Sequence, residues 1–144
     1  MKFLRRIFLI LVYMLLSGFL FGDFAMKVLV VIDGKAFEAA LQNNSAAADF
    51  YSMLPLELEF EDFASAEKIA FLKRKLNTKD SPDGYKGSAG DINYYAPWGN
   101  LAIFYKDSKF ARGLVHLGSI DKGALEKLSK RDGKFKIKIE KFEK

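Results

Sequence analysis

His116 is the single histidine of this chain of 144 residues, and cysteine is absent. The groups that most often build metal centres, thiol nucleophiles and disulfides are therefore reduced to one imidazole. It lies in Leu114-Val115-His116-Leu117-Gly118, where strand alternation puts it on the same side as Leu114. Two roles are open to it: a core imidazole bonded to a backbone carbonyl, which its apolar neighbours favour, or a general base lining a pocket. Carboxylates gather at Glu57, Glu59 and Glu61, on the outward face of an alternating run whose Leu56, Leu58 and Phe60 face inward. Neighbours on that face stand about 7 Å apart. With no histidine near and lysines on other strands, they read as cross-strand ion pairs or solvated charge rather than as metal ligands. No glycine-rich phosphate loop is completed anywhere. No catalytic set, metal site or cofactor is expected.

Binding chemistry is better represented. Tyr94, Tyr95, Pro97, Trp98 and Asn100 crowd into one short segment that holds the sole tryptophan. Trp98 falls in a turn, where a ring is hard to bury on both sides, and an exposed tryptophan anchors ligands; the alternative is that it folds down to plug the end of the domain. Arg112, one of three arginines beyond the first 22 residues, has an anionic ligand, a nearby carboxylate or water as its alternative partners. The candidate ligand-binding set is therefore Tyr94, Tyr95, Pro97, Trp98, Asn100, Arg112 and His116, for an unidentified peptide or small molecule.

The elements that must position these groups are short. Lys27 to Ile32 is an apolar, β-branched strand, and Asp33-Gly34 is a hairpin turn signal. Ser45 to Met53 is alanine-rich, with Asn44 or Ser45 as N-cap and Ala47, Phe50 and Leu54 on one face, which predicts a helix of two to three turns ended by Pro55. Strands follow at Leu56 to Phe60 and Lys68 to Leu72. The glycine-rich stretch Asn77 to Gly90 reads as the longest loop, either a binding segment or a passive one. Asp91 to Tyr95 and Leu101 to Tyr105 form a second hairpin, Leu114 to Leu117 a strand, Gly123 to Lys130 a short helix. The last strand alternates, with Lys134, Lys136 and Lys138 outward, on a solvated face or guarding a sheet edge. Seven or eight short strands and two short helices favour a small closed barrel.

Residues 1–22 carry Lys2, Arg5 and Arg6, then an apolar run from Ile7 to Leu16, then Ser17 and Gly18 before another apolar stretch to Gly22. This is the order of a secretory signal. From Ile7 to Phe21 the run is about 22 Å long as a helix, short against a hydrocarbon core of about 30 Å. Cleavage is favoured over retention as an inner-membrane anchor, which would be the domain's only link to a membrane, and the mature domain is 23–144, periplasmic or secreted. Translation from Met26 would instead give a cytoplasmic product. The formal charge of +5 falls to +2 without this segment, with 20 Lys plus Arg against 18 Asp plus Glu. Spread along the chain, that excess makes no nucleic-acid footprint.

The segment Gly90-Asp91-Ile92-Asn93-Tyr94-Tyr95-Ala96-Pro97-Trp98-Gly99-Asn100-Leu101-Ala102-Ile103-Phe104-Tyr105 resembles the cyclophilin-like family of small bacterial proteins, in which Gly-Asp, an aromatic, Pro and Gly-Asn precede an apolar strand ending in aromatics. Leu54-Pro55-Leu56 followed by Glu67-Lys68, and Gly118-Ser119-Ile120 before Leu125, agree in order, so the resemblance runs from about Val28 to Ile139. It implies a mostly β fold, a closed or nearly closed barrel with short helices at its ends. True cyclophilins are peptidyl-prolyl isomerases with an arginine flanked by phenylalanine and glutamine. Here the stretch before the Gly-Asp motif offers only Arg74, without Phe-x-Arg, and the sole glutamine is Gln42. The resemblance therefore implies a non-enzymatic module in preference to an isomerase or folding helper.

Overall fold

The computed structural model describes residues 24–143; the segment 1–22 read above as an export signal lies outside them. The chain opens with β1 (Phe24–Ile32) and β2 (Lys35–Gln42), a hairpin in which Ile32 pairs with Lys35. Its two-residue turn has both Asp33 and Gly34 at positive φ, 49° and 78°, the geometry whose twist matches paired strands. Helix α1 (Ser45–Ser52) is capped by Asn44, whose side-chain oxygen accepts from the Ala47 N–H at 2.8 Å. The expected inward face holds, since Ala47, Phe50 and Leu54 are all buried.

Then come β3 (Leu56–Phe63), β4 (Glu67–Phe71), β5 (Gly84–Lys86), β6 (Asp91–Tyr95), β7 (Asn100–Phe104), β8 (Phe110–Arg112), β9 (Leu114–Ile120), α2 (Lys122–Ser129) and β10 (Phe135–Lys141). Eight strands close into an antiparallel barrel in the order β1-β10-β3-β4-β7-β6-β9-β2. The fold is thus the expected mostly β closed barrel with two short helices.

Two readings change. The stretch 77–90 is not all loop: β5 lies within it and pairs with β8 as a separate two-stranded ribbon. Three residues are too few for alternation to show, and the ribbon depends on Gly84, where a Cβ would stand 2.4 Å from the Ala111 carbonyl oxygen. Nor is the lysine-bearing β10 an edge, because β1 and β3 pair with its two sides. Lys136 and Lys134 instead meet Glu57 and Glu59 across β3, at 3.6 and 3.9 Å, exposed pairs of the kind that contributes little.

Alternation sorts the strands onto two faces. Inside the barrel lie Val30, Phe60, Tyr94, Leu101, Ile103 and Ile137, among others. Outside, on β4, β7 and β9, a second apolar cluster of Ile69, Ala102, Phe104 and Leu114 is covered by Tyr85, Tyr95 and Ala111. Tyr85 and Ala111 belong to the β5–β8 ribbon, and Phe104, Ala111 and Leu114 also wall a pocket on this outer face.

Candidate functional site

Register places one row of outward residues across three strands: Phe63 pairs with Glu67, and Glu67 with Phe104. A second row runs through Leu114, Tyr95, Asn100 and Phe71. Between β6 and β7 the chain turns tightly, the Trp98 and Gly99 N–H groups both donating to the Tyr95 carbonyl at 3.2 and 2.9 Å. This turn needs Gly99 at φ 71°, and it throws the Trp98 ring back over the barrel wall. The indole stands edge-on to Phe63 at 5.5 Å and to Tyr95 at 5.4 Å between ring centres, a geometry aromatic pairs favour. It remains 53% exposed. Beneath it opens a pocket of about 330 Å³ walled by Phe63, Tyr95, Trp98, Phe104, Ala111 and Leu114, with Glu67, Asn100 and Ser108 as its polar members.

Among the described residues neither the Glu67 carboxylate nor the Asn100 Oδ1 of this pocket has a hydrogen-bond partner. Burial, with a smaller push from the Asp62 carboxylate, raises the Glu67 pKa above the ordinary glutamate value. Asn100 is 1% exposed; its Nδ2 donates to the Leu101 carbonyl at 3.1 Å, which fixes the amide's orientation, and its Oδ1 has no donor.

Of the sequence candidates, Tyr95, Trp98 and Asn100 are brought together here. Trp98 lies on the outer wall and does not plug the barrel end. Pro97 is exposed at the rim and packs on Gly113, where a Cβ would stand 2.8 Å from its ring. Tyr94 points inward, buried, its hydroxyl accepting from the Leu76 N–H at 3.2 Å; one step of alternation separates it from the pocket. Arg112 is exposed on the ribbon face opposite Ala111. Glu67, Phe63 and Phe104 were not among the candidates: each reads in sequence as an ordinary strand residue, and only the pairing of β3, β4 and β7 joins them.

His116 lines a second pocket of about 230 Å³ with Tyr85, Ser81, Asn44 and Asp80. It faces outward like Leu114, with Val115 and Leu117 inward, and the register of β9 against β6 shifts only beyond it, between Asn93 and Ile92. The favoured reading expected a backbone carbonyl as its partner; instead Nδ1 meets Asn93 Oδ1 at 3.0 Å, with an Asp91 carboxylate oxygen at 3.8 Å and the Tyr85 ring stacked at 4.7 Å. Burial lowers the imidazole pKa below its ordinary 6.5, against the opposing pull of Asp91. At neutral pH the side chain is therefore uncharged, and the contact with Asp91 is not an ion pair. Below pH 6.5 the unfolded chain takes up this proton before the folded one does, so stability falls as the pH drops from 6.5 through the lowered value and is fully present above 6.5. Urea denaturation from pH 7.5 to 5 should show this decline. His116→Gln should flatten it, and an unchanged slope in that variant would place the effect elsewhere.

Among the described residues no group of three His, Cys, Asp or Glu side chains is arranged to hold a metal, and no helix is long and apolar enough to cross a membrane.

The closed eight-stranded antiparallel barrel with two short helices is of the cyclophilin-like class. A family model described as the cyclophilin-like family matches residues 30–140, and the chain belongs to that family. Among solved structures it is similar to the solution structure of the hypothetical protein AF2241 from Archaeoglobus fulgidus, with a TM-score of 0.58 and 15% identity over 83% of this chain and 97% of that one. At that identity the likeness concerns the fold alone. A search of curated proteins finds no match.

Proposed function

We propose that this chain is an exported, non-enzymatic cyclophilin-like module that binds a peptide or small molecule in the pocket beneath Trp98. The observation that carries the reading is the pocket's construction: an exposed indole over apolar walls and a buried Asn100 Oδ1 without a donor, a combination of apolar enclosure with a few convergent polar groups that typifies ligand sites. Export rests on the basic and apolar pattern of residues 1–22. Two placements argue against the isomerase alternative. Arg74 is held by Asp49 in a two-point pair at 2.8 and 2.9 Å, and Arg112 faces away from the pocket, so neither arginine is offered to a twisting amide there.

The test combines an isomerase assay on a proline tetrapeptide with titration of the full chain by a mixed-sequence peptide library and a small-molecule fragment set, read by Trp98 emission and by NMR shifts of pocket residues. The expected result is a saturable response confined to the pocket, no acceleration of isomerisation, and a three- to tenfold loss of affinity in Tyr95→Ala, the value of one aromatic contact. Catalysis sensitive to Arg74→Ala or Arg112→Ala would replace this reading with the isomerase. Silence of the pocket toward both collections would remove it.

A further inference from the structure

The polar members of the Trp98 pocket are unbalanced in sign. Glu67 and the Asn100 Oδ1 both accept, the Ser108 hydroxyl is occupied by the Gly87 N–H and the Lys109 carbonyl, and among the described residues the pocket lining contains no lysine, arginine or histidine. Among the described residues no hydrogen bond or ion pair reaches the Glu67 carboxylate, although it sits half-buried between Phe63 and Phe104 on the neighbouring strands. Its sequence neighbour Lys68 is turned to the opposite face and is engaged by Asp62 at 3.0 Å. An anionic ligand would thus meet a carboxylate with no counter-charge, and an apolar one would cover that carboxylate without a partner, which is costly. A protonated nitrogen satisfies both acceptors, and the faces of Trp98, Tyr95 and Phe63 attract it through their ring quadrupoles.

We propose that the pocket receives the basic side chain of a peptide, arginine or lysine, with the charged end at Glu67 and Asn100 and the aliphatic stem between the rings. The inference rests on the binding reading above and adds the chemistry of the occupant. A volume of about 330 Å³ lies at the small end for ligand sites and suits one side chain rather than a whole small molecule. The surface beside it suits the rest of a peptide: Phe71, paired with Asn100 and so on the same outer face, is 57% exposed and continues the apolar wall beyond the rim.

The experiment titrates the full chain with the pentapeptide acetyl-Ala-Ala-Arg-Ala-Ala-amide, with its citrulline and glutamate counterparts, and with agmatine as the free guanidine, read by Trp98 emission. Citrulline keeps the shape of arginine and removes the charge. The arginine peptide should bind at least tenfold more tightly than either counterpart and more tightly than agmatine. Glu67→Gln should reduce the arginine preference over citrulline to less than threefold. Equal affinities for arginine and citrulline overturn the cation assignment. If the mixed library still registers in the pocket, the general binding reading survives that result. Agmatine binding as tightly as the peptide overturns the peptide assignment, and silence toward all four ligands overturns the proposal. The peptide comparison needs no variant, so it decides the matter even if Glu67→Gln fails to fold.

Discussion

Alanine at Gly118 is expected to cost more than about 3 kcal/mol and to leave the domain largely unfolded at moderate urea. Strands β2 and β9 are joined by only three residue pairs, of which Leu41 with Gly118 is one. A Cβ at 118 would stand 2.2 Å from the Ala40 carbonyl oxygen and 2.9 Å from the Leu41 Cα. Both obstacles are backbone, so no rotamer change can clear them and the strands must part. Overpacking that side chains can absorb costs about 1–3 kcal/mol; parting two strands of a closed barrel exceeds that and is a large share of a typical total of about 5–15 kcal/mol. Gly133→Ala is the control. Gly133 sits at φ 66° with nothing within 4 Å of the added carbon, so only backbone strain of about 1–2 kcal/mol is expected. Equal urea midpoints for the two variants would show that the β2–β9 seam gives way more easily than its geometry implies.

Removing Asp62 should hurt more than removing Lys68, although the two form one ion pair. Lys68 is 2% exposed at the barrel's end, its ammonium 3.0 Å from Asp62, hydrogen-bonded to the Arg131 carbonyl and near the rings of Tyr105 and Phe135. Asp62→Ala leaves a buried cation with one carbonyl for company. Such losses run to about 3–5 kcal/mol, and partial exposure of the Asp62 side lowers the expectation to roughly 2–3. Lys68→Met keeps the stem's volume and leaves Asp62 with the Tyr105 hydroxyl, the Ser65 N–H and water, at a cost of about 1.5 kcal/mol or less. Urea denaturation of both variants and the double variant measures the asymmetry; equal losses would refute it. The same network has two pH signatures. The Tyr105 hydrogen bond and Lys68 hold the Asp62 pKa below 3.8, so its contribution is present above 3.8 and fades as the pH falls through the lowered value. Burial and the bond to Asp62 push the Tyr105 phenol up to about 12, so between pH 10 and 12 the unfolded chain ionises first and stability declines.

Local patterns made most of the barrel legible. The β1–β2 hairpin was visible because Asp33-Gly34 demands positive φ at both turn residues, and α1 because Asn44 caps a run with Ala47 and Phe50 on one face. Alternation oriented β3 and β10 and left cross-strand ion pairs open as one reading of the glutamates, while the partners Lys136 for Glu57 and Lys134 for Glu59 appear only with the strand pairing. What stayed hidden depends on distant partners. The β5–β8 ribbon joins Gly84–Lys86 to Phe110–Arg112, each too short to announce itself. The pocket was half legible. Tyr95, Trp98 and Asn100 share one turn and could be picked out together, whereas Glu67 and Phe104 become neighbours only when β4 lies beside β7. Tyr94 shows the converse, since proximity in sequence to Trp98 says nothing about which side of the strand a ring takes. For His116 alternation gave the side correctly, but its partners Asn93 and Asp91 arrive from another strand.

The last strand of the barrel lies between the first and the third, with Val28 paired to Lys141 and Phe60 to Phe135. Contacts between such distant residues form late, because the intervening chain must first be brought together. Until β10 is in place, β1 and β3 each present an open edge with unpaired backbone groups. A growing chain therefore cannot close its barrel before its last strand is available. Commitment to the folded state is held in the final seven-residue strand, and removal of that strand should leave a sticky, open sheet rather than a smaller barrel.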